Sequence, residues 1–509
     1  MKSFFIALCV ALTVGMVYWK LTQDKRERQA ANDLYQQSSD AQVFDDHLTI
    51  LGDDWLGYMI FRSRKFQEEL AERKVSASFE MEFDFAKRFK ALEEGKADFV
   101  VATVDSYLSN GGDSNFPGVI THLVDESFGG DAIIVREEIK NIDDLGAKEA
   151  HGCFVGSSPS EFLLKSQIAH FKLDDSRMKL HACDSIDEAY EHFASGEGDF
   201  AVLWEPQTSK ALREIPGTRR LIDTSDARGL IIDCAIARRQ LVVDRPDLVE
   251  SVVVAYFKAL NHYLGSSEEL LRLAQADTGE KSEIAEQMLR GIRFTGYQEN
   301  LRMAGIDGAG KAPLLSSIGS ITDILLSVGD LKADPLRGNA RSIVNSAFLE
   351  KAGGDQAVAT APSIASAQPS SNHFKPLSED QWRGLMDNPV GTLLDRPIVF
   401  ASGRATVPEE FQIELKGATD KLAHYPDFRV VVQAHVSKGS DPEADQQLSQ
   451  QRADAIRDLL VKTTDMPAER IRAFGIGAEQ LLEKMDGESL AAWKRRCRRA
   501  RVFIADPSS

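Results

Sequence analysis

Aromatic, hydroxyl and carboxylate side chains gather in a few short stretches of this sequence, and that combination of types binds small polar molecules. Gly52–Tyr58 carries Asp53, Asp54, Trp55 and Tyr58, and Thr103–Ser106 carries Asp105. Asp125–Gly130 carries Glu126, Ser127 and Phe128, Gly156–Ser160 carries Ser157, Ser158 and Ser160, and Trp204-Glu205 closes an apolar run. Rings offer stacking or cation–π faces, hydroxyls donate and accept, and carboxylates attract ammonium groups. Trp55, Tyr58, Asp105, Ser127, Ser157, Ser160, Trp204 and Glu205 are therefore the candidate solute-binding residues. The Gly156–Glu161 turn has the most defined local chemistry. Ser158 can cap a helix, Pro159 takes its first position, and Glu161 completes a capping box. Free N–H groups at such a terminus favour an anion or a carbonyl oxygen, which places Ser157 and Ser160 beside a ligand. Capping by itself explains Ser158, and packing under its loop explains Phe128.

The elements that must hold these stretches are legible from periodicity. Leu48–Gly52, Val75–Phe83, Asp98–Ala102, Asp131–Val135, Gly152–Val155 and Asp199–Leu203 read as strands, and a helix runs through Lys87–Glu94. Strands alternating with helices of ten to fifteen residues predict βαβ units and a mainly parallel sheet. The candidate loops lie at the ends of these strands, and ligands of open α/β sheets sit where strands reach their carboxyl ends. Helices dominate from Pro246 to about Ala352. Gly353–Asn372 is Ala/Ser/Pro-rich and predicts a linker, after which a second α/β pattern runs to Asp506.

The chain has 509 residues and a formal net charge of −18, which is the wrong sign for a general nucleic-acid binder. Five cysteines (Cys9, Cys153, Cys183, Cys234, Cys497) show neither a CxxC pair nor a His/Cys metal spacing. We expect no metal and no cofactor. Cys153, Cys183 and Cys234 read either as buried thiols or as containing one disulfide. His151 and His181 lie beside Cys153 and Cys183 in sequence, but without a partner carboxylate they do not make a catalytic site. Phe4–Trp19 is an uncharged apolar run, about 24 Å of helix at the usual rise, extended by Leu21 and a snorkelling Lys20. It ends in Val17-Tyr18-Trp19-Lys20, a poor cleavage site, so an uncleaved membrane anchor is expected over a cleaved signal.

Several stretches resemble periplasmic solute-binding proteins of the nitrate, sulfonate and taurine type. They are Asp125-Glu-Ser-Phe-Gly-Gly-Asp-Ala-Ile-Ile134, Ile142-Asp-Asp-Leu145, Gly156-Ser-Ser-Pro-Ser-Glu-Phe-Leu-Leu164, Gly198-Asp-Phe-Ala-Val-Leu-Trp-Glu-Pro206 and the Arg245-Pro-Asp-Leu-Val249 helix start. The resemblance implies two α/β lobes, a type II periplasmic-binding-protein fold, closing on a small nitrogen- or sulfur-containing solute. Crossovers are expected near Gly130–Val135 and Leu230–Ala237. Asp53, Asp54, Asp105, Asp125, Glu126, Asp131 and Glu205 lie in or beside the candidate loops, with no Arg or Lys among them. That departs from an anion clamp and favours a neutral or amino-bearing solute. Pyrimidine-precursor synthases share the implied fold but carry a CCCFC motif that is absent here, so no enzyme is expected.

The C-terminal stretches Pro397-Ile-Val-Phe-Ala-Ser-Gly403, Phe428-Arg-Val-Val-Val-Gln-Ala-His435, Leu448-Ser-Gln-Gln-Arg-Ala-Asp-Ala-Ile456 and Gly475-Ile-Gly-Ala-Glu479 resemble the OmpA-like peptidoglycan-binding domain. This implies a small α/β sandwich with helices on one face of a mixed sheet. In the family, an acidic residue two positions after that His and the Arg of the helix clamp diaminopimelate. Arg452 stands at the Arg position, Ser437 at the acidic one, and Asp445, where Asn is usual, returns a carboxylate from another point. Arg452, Asp445 and Ser437 are the candidate peptidoglycan-binding residues; a plain surface bridge from Arg452 to Asp445 is the alternative. In the run Lys494–Arg501, Ala500, Val502 and Ile504 should point inward and Arg499 and Arg501 outward.

These readings predict an anchor or signal at 1–22, a polar stalk at 23–46 and a solute-binding domain at 47–352. Its first lobe is 47–129 with 236–352, and its second is 130–235. A linker at 353–376 and an OmpA-like domain at 377–509 follow. The expected role is a periplasmic receptor anchored in the inner membrane, with a solute, peptidoglycan and an ABC permease or other envelope protein as partners. The alternative is a scaffold between membrane and wall with a degenerate cleft.

Overall fold

The computed structural model describes residues 44–147, 149–359, 374–394, 396–412, 414–415, 422, 425–464 and 466–505. The expected anchor, nearly all of the stalk and most of the linker lie outside these residues. Among the described residues, no helix is long and apolar enough to cross a membrane.

Three sheets organise the chain. The first contains β1 (Asp46–Gly52), β2 (Val75–Met81), β3 (Phe99–Thr103), β4 (Gly118–Ser127), β10 (Ile232–Arg238) and β11 (Ile292–Phe294), in the order β11-β4-β10-β3-β1-β2. The second contains β5 (Asp131–Arg136), β6 (Ala150–Val155), β7 (Met178–Cys183), β8 (Phe200–Trp204) and β9 (Thr218–Asp223), in the order β7-β6-β8-β5-β9. Both sheets are mixed rather than mainly parallel. β1 pairs in parallel with β2 and β3, and β6 with β7 and β8. β10 runs antiparallel to β3 and β4, and β5 antiparallel to β8 and β9. The reversal follows from the two crossings, because a strand entering from the other sheet arrives head-on.

The crossings are short. The chain leaves the first sheet at Ser127 and enters the second at Asp131; it leaves the second at Asp223 and returns at Ile232. Each crossing thus lies just ahead of the strand expected to make it, and residues 232–235, assigned to the second lobe from sequence, pair within the first sheet. Thr224 ties the crossings together: its Oγ1 meets Ser127 Oγ at 2.8 Å and accepts the Gly129 N–H at 2.8 Å. The lobes also touch away from the crossings. The apolar Pro313–Ser327 helix of the first lobe packs against both Val104–Asn110 and Pro159–Phe171. Lys165 of the second lobe pairs with Asp330 at 2.6 Å.

The third sheet contains β12 (Gly391–Thr392), β13 (Ile398–Val399), β14 (Arg429–Ala434), β15 (Ile471–Gly475) and β16 (Arg499–Ala505), ordered β12-β16-β14-β15 with β13 also on β16. The Pro442–Thr464 helix covers one face through Ala453, Ile456 and Leu460. Helices are not confined to that face. Trp382 and Leu385 of Glu379–Asp387 bury Val431, Phe474 and Phe503 on the other. Three successive valines, all fully buried, require both faces to be covered. Ala500, Val502 and Ile504 point inward as expected, and Arg501 is exposed.

The C-terminal module does not hang free of the second lobe. Ile142 N–H donates to Val390 O at 2.8 Å, Thr392 Oγ1 meets Asp143, and Arg228 pairs with Asp427. Tyr425, 1% exposed, donates to Gln167 Oε1 at 2.8 Å and meets His170 Nδ1 at 2.9 Å, with its ring between Phe171 and Phe428. The expectation of a free tether is therefore corrected. The linker also begins later than expected, since Val358 of Gln356–Ala359 is buried against the first lobe. Tyr425→Ala removes a buried ring worth about 3–5 kcal/mol. We expect it to separate the modules and raise the radius of gyration in small-angle scattering; an unchanged profile would show that the other contacts suffice.

Candidate functional site

The carboxyl ends of β1 and β3 and the crossing strands converge at the lobe boundary. Register places Asp233 of β10 directly between Thr103 of β3 and Asp125 of β4, and pairs Asp131 of β5 with Trp204 of β8. Gly57 makes this approach possible, since an added Cβ would overlap the Asp125 carboxylate and the Trp55 indole. Trp55, half-buried, donates from Nε1 to Asp125 Oδ1 at 3.3 Å. The Tyr58 hydroxyl, fully buried, donates to Asp233 Oδ1. Burial, together with the Asp233 charge, holds that phenol protonated.

Four carboxyls form the floor. Asp105, Asp125, Asp131 and Asp233 are all at most 3% exposed. Burial pushes Asp105, Asp125 and Asp131 up to about 7 each, with Asp131 adding to the shift of both others. Asp233 is also pushed well up, by burial and then by the adjacent Asp125. Asp125 and Asp233 are directly opposed on adjacent strands, and among the described residues Asp125 Oδ2 is buried with no hydrogen-bond partner. Among the described residues, no Lys or Arg makes an ion pair with any of the four. The cations nearby come from outside the candidate loops and are occupied: Arg88 with Asp53 at 2.6 Å, Arg62 with Asp277 and the Trp55 carbonyl, and Arg220 with Asp223.

The candidate solute residues divide by what they already bond. Ser127 Oγ donates to Asp131 Oδ2 at 2.6 Å and is taken by the crossing. Glu205, pushed up by burial, accepts Ser209 Oγ at 2.7 Å and the Ser209 N–H at 3.2 Å. Ser157 is exposed, with its N–H on Glu161 Oε2 at 2.6 Å. Ser158 caps its helix as expected, but Glu161 returns to Ser157 rather than to Ser158. Among the described residues, Asp105 Oδ1 and Ser160 Oγ are buried with no hydrogen-bond partner. Asp105 is on the first lobe, and Asp131, whose charge adds to the rise in its pKa, opens the first strand of the second. The Pro159–Phe171 helix, with Ser160 in its first turn, packs on the helix that carries Asp105. Trp55 and Trp204 remain half-buried at the same edge. Asp233 is the residue that sequence reasoning missed. Its signal was a lone carboxylate inside the apolar run Leu230–Ala237.

In the C-terminal module, Arg452 is fully buried. It donates to the carbonyls of Ala401 (3.0 Å), Arg404 (2.9 Å) and His435 (3.2 Å) and lies over the Phe400 ring. Burial pushes its guanidinium down to about 10, still charged at neutral pH. Among the described residues it bonds no carboxylate, so it does not bridge Asp445. Asp445 Oδ2 instead accepts the Gly439 N–H at 2.7 Å, folding onto the loop that carries the half-buried Ser437. Among the described residues neither ring nitrogen of the buried His435 has a hydrogen-bond partner, and burial pushes the imidazole down to about 4. The basic run contributes Arg495 and Arg498, with Arg396, Phe400 and Phe411, to a groove of about 500 Å³.

Residues 399–492 match the OmpA family. The two-lobed part is similar to the periplasmic nitrate-binding protein NrtA from Synechocystis PCC 6803, with a TM-score of 0.50, 11% identity, and coverage of 62% of this chain and 91% of that one. The periplasmic aliphatic sulphonate binding protein SsuA from Escherichia coli gives 0.48 at 17% identity, covering 59% and 92%. The desulfurization enzyme DSZB gives 0.43 at 13%, covering 61% and 99%. No curated protein sequence matches the chain. The two resemblances read from the motifs are thus the ones found, and the NrtA similarity is one of fold.

Proposed function

We propose that this chain is a cell-envelope solute receptor whose two lobes close on a small amino-bearing molecule and whose C-terminal module contacts peptidoglycan. The observation that carries the reading is the buried group of carboxyls at the lobe boundary, which among the described residues have no cation paired with them and leave Asp105 Oδ1 without a hydrogen-bond partner. An ammonium group would supply donors and the positive charge that lets these buried carboxyls ionise, which nitrate or a sulfonate cannot do. Trp55 and Trp204 would flank the solute, with Tyr58 and Ser160 completing the wall. No covalent chemistry is needed; the reaction is hinge closure about residues 128–130 and 224–231. The Phe4–Trp19 run would hold the chain at the inner membrane, where a permease or other envelope protein would receive the closed form.

Indole fluorescence of the full chain, titrated with primary and quaternary amines, amides, pyrimidines and alkylsulfonates, tests this directly. Amines should give saturable quenching and raise the melting temperature by mass action. Saturable binding of sulfonates alone would remove the amino specificity and leave a receptor. The scaffold reading has its own support in the Pro313–Ser327 helix and the Lys165–Asp330 pair, which already join the lobes. Absence of binding across the whole panel would favour it.

A further inference from the structure

We propose that His181, Cys183 and Glu188 form a zinc site at the outer edge of the second sheet. β7 is the edge strand of that sheet. His181 and Cys183 are two residues apart on it and so share a face. The Ile186–Ala194 helix packs over the same sheet and brings Glu188 in on its first turn. One ligand atom from each of the three lies within 4.8 Å of the other two. Tetrahedral zinc, with bonds of about 2.0–2.3 Å, needs ligand atoms roughly 3.3–3.8 Å apart. The 4.8 Å bound exceeds that spacing by about 1 Å, a gap that small shifts of the ring within its plane and of the carboxylate oxygen not held by Asp184 can close.

The surroundings are built for such an ion. Ser185 caps the helix through the Glu188 N–H, and Glu188 Oε2 accepts the Asp184 N–H at 2.8 Å, which fixes the carboxylate beside the strand. The His181 ring stacks on His192 with centroids 4.5 Å apart and planes 19° apart, which sets its plane. Cys183 is reduced and buried. Burial and the nearby charges of Glu188 and Asp184 push its thiol up to about 11; the same charges favour a cation. One imidazole nitrogen, one thiolate sulfur and one carboxylate oxygen suit zinc, since calcium and magnesium take oxygen ligands and copper(I) takes sulfur. On binding, the thiol gives its proton to solvent and the sulfur bonds the metal, with no change in oxidation state. Three protein ligands leave a fourth position for water. Such an ion would pin the edge strand to its helix and shield the thiol from oxidation. The motif escapes sequence inspection because H-x-C on a strand has no recognised spacing to a glutamate on the next helix.

The test uses the full chain, reduced and stripped of metal, titrated with cobalt(II) and then zinc. A thiolate-to-cobalt charge-transfer band should appear at one equivalent, and zinc should bleach it. Cys183→Ser should abolish the band. His181→Ala and Glu188→Gln should each weaken binding by at least the 10–100-fold or so that loss of an outer partner costs a metal site. Cys153→Ser, buried in the same sheet but outside the triad, should leave the titration unchanged. A band that survives Cys183→Ser, or no band in wild type shown to be folded by circular dichroism, would overturn the site.

Discussion

Asp105→Asn should make the ligand-free protein more stable at pH 8 and change it far less at pH 5. In the folded chain burial raises this carboxyl to about 7 from its model-peptide 3.8. The folded state therefore holds the proton more tightly than the unfolded one. Stability is full below the unfolded value, falls as pH climbs from about 4 to 7, and stays low above that. Asparagine keeps the shape and carries no charge to desolvate, so at pH 8 it should recover on the order of 1–3 kcal/mol. Thermal melts of both proteins at the two pH values measure this. A saturating amine should reverse the order, because its charge favours the ionised carboxylate, and affinity should rise from pH 5 to pH 8 as protons are displaced. Loss of stability in the variant at pH 8 would show that Asp105 is ionised against a cation in the resting protein.

Arg452→Ala should unfold the C-terminal module rather than merely weaken its contacts. Removing the guanidinium leaves the carbonyls of Ala401, Arg404 and His435 without its donors. Each buried orphan costs about 1–3 kcal/mol, and three together approach the stability of a small domain. Arg452→Lys should be nearly as damaging, because one ammonium cannot reproduce a planar fork reaching three acceptors. Loss of sedimentation with purified peptidoglycan in either variant would then say little about contact. Asp445→Asn is the informative change, since the amide oxygen still accepts from Gly439 while the charge is gone. We expect it to reduce co-sedimentation with circular dichroism unchanged; undiminished pelleting would remove Asp445 from the wall-contacting surface.

The strands were readable because buried β-structure writes itself in runs such as Asp98–Ala102 and Asp199–Leu203, and the capped turn at Ser158 was readable because caps are local. Strand direction was not, since nothing in the Leu230–Ala237 run says that it pairs head-to-tail with its neighbours. Asp105, Trp55 and Tyr58 could be proposed from sequence because each follows a strand, β3 or β1. Asp233 was missed because it lies inside one, and its meaning depends on register with Asp125. Arg452 was recognised as a position but not as a strut, because its acceptors are backbone carbonyls, which every residue possesses. Docking through Tyr425 left no mark either, as a tyrosine at an interface and one in a core look alike in sequence.

The shared packing around Tyr425 decides which part of the molecule stands still. In the proposed receptor, with the C-terminal module held on peptidoglycan, the second lobe would be held too, and opening at the crossings would swing the first lobe alone. Solute arrival would then register as displacement of the segment that leads back toward Met1, as a lever turns about an anchored foot.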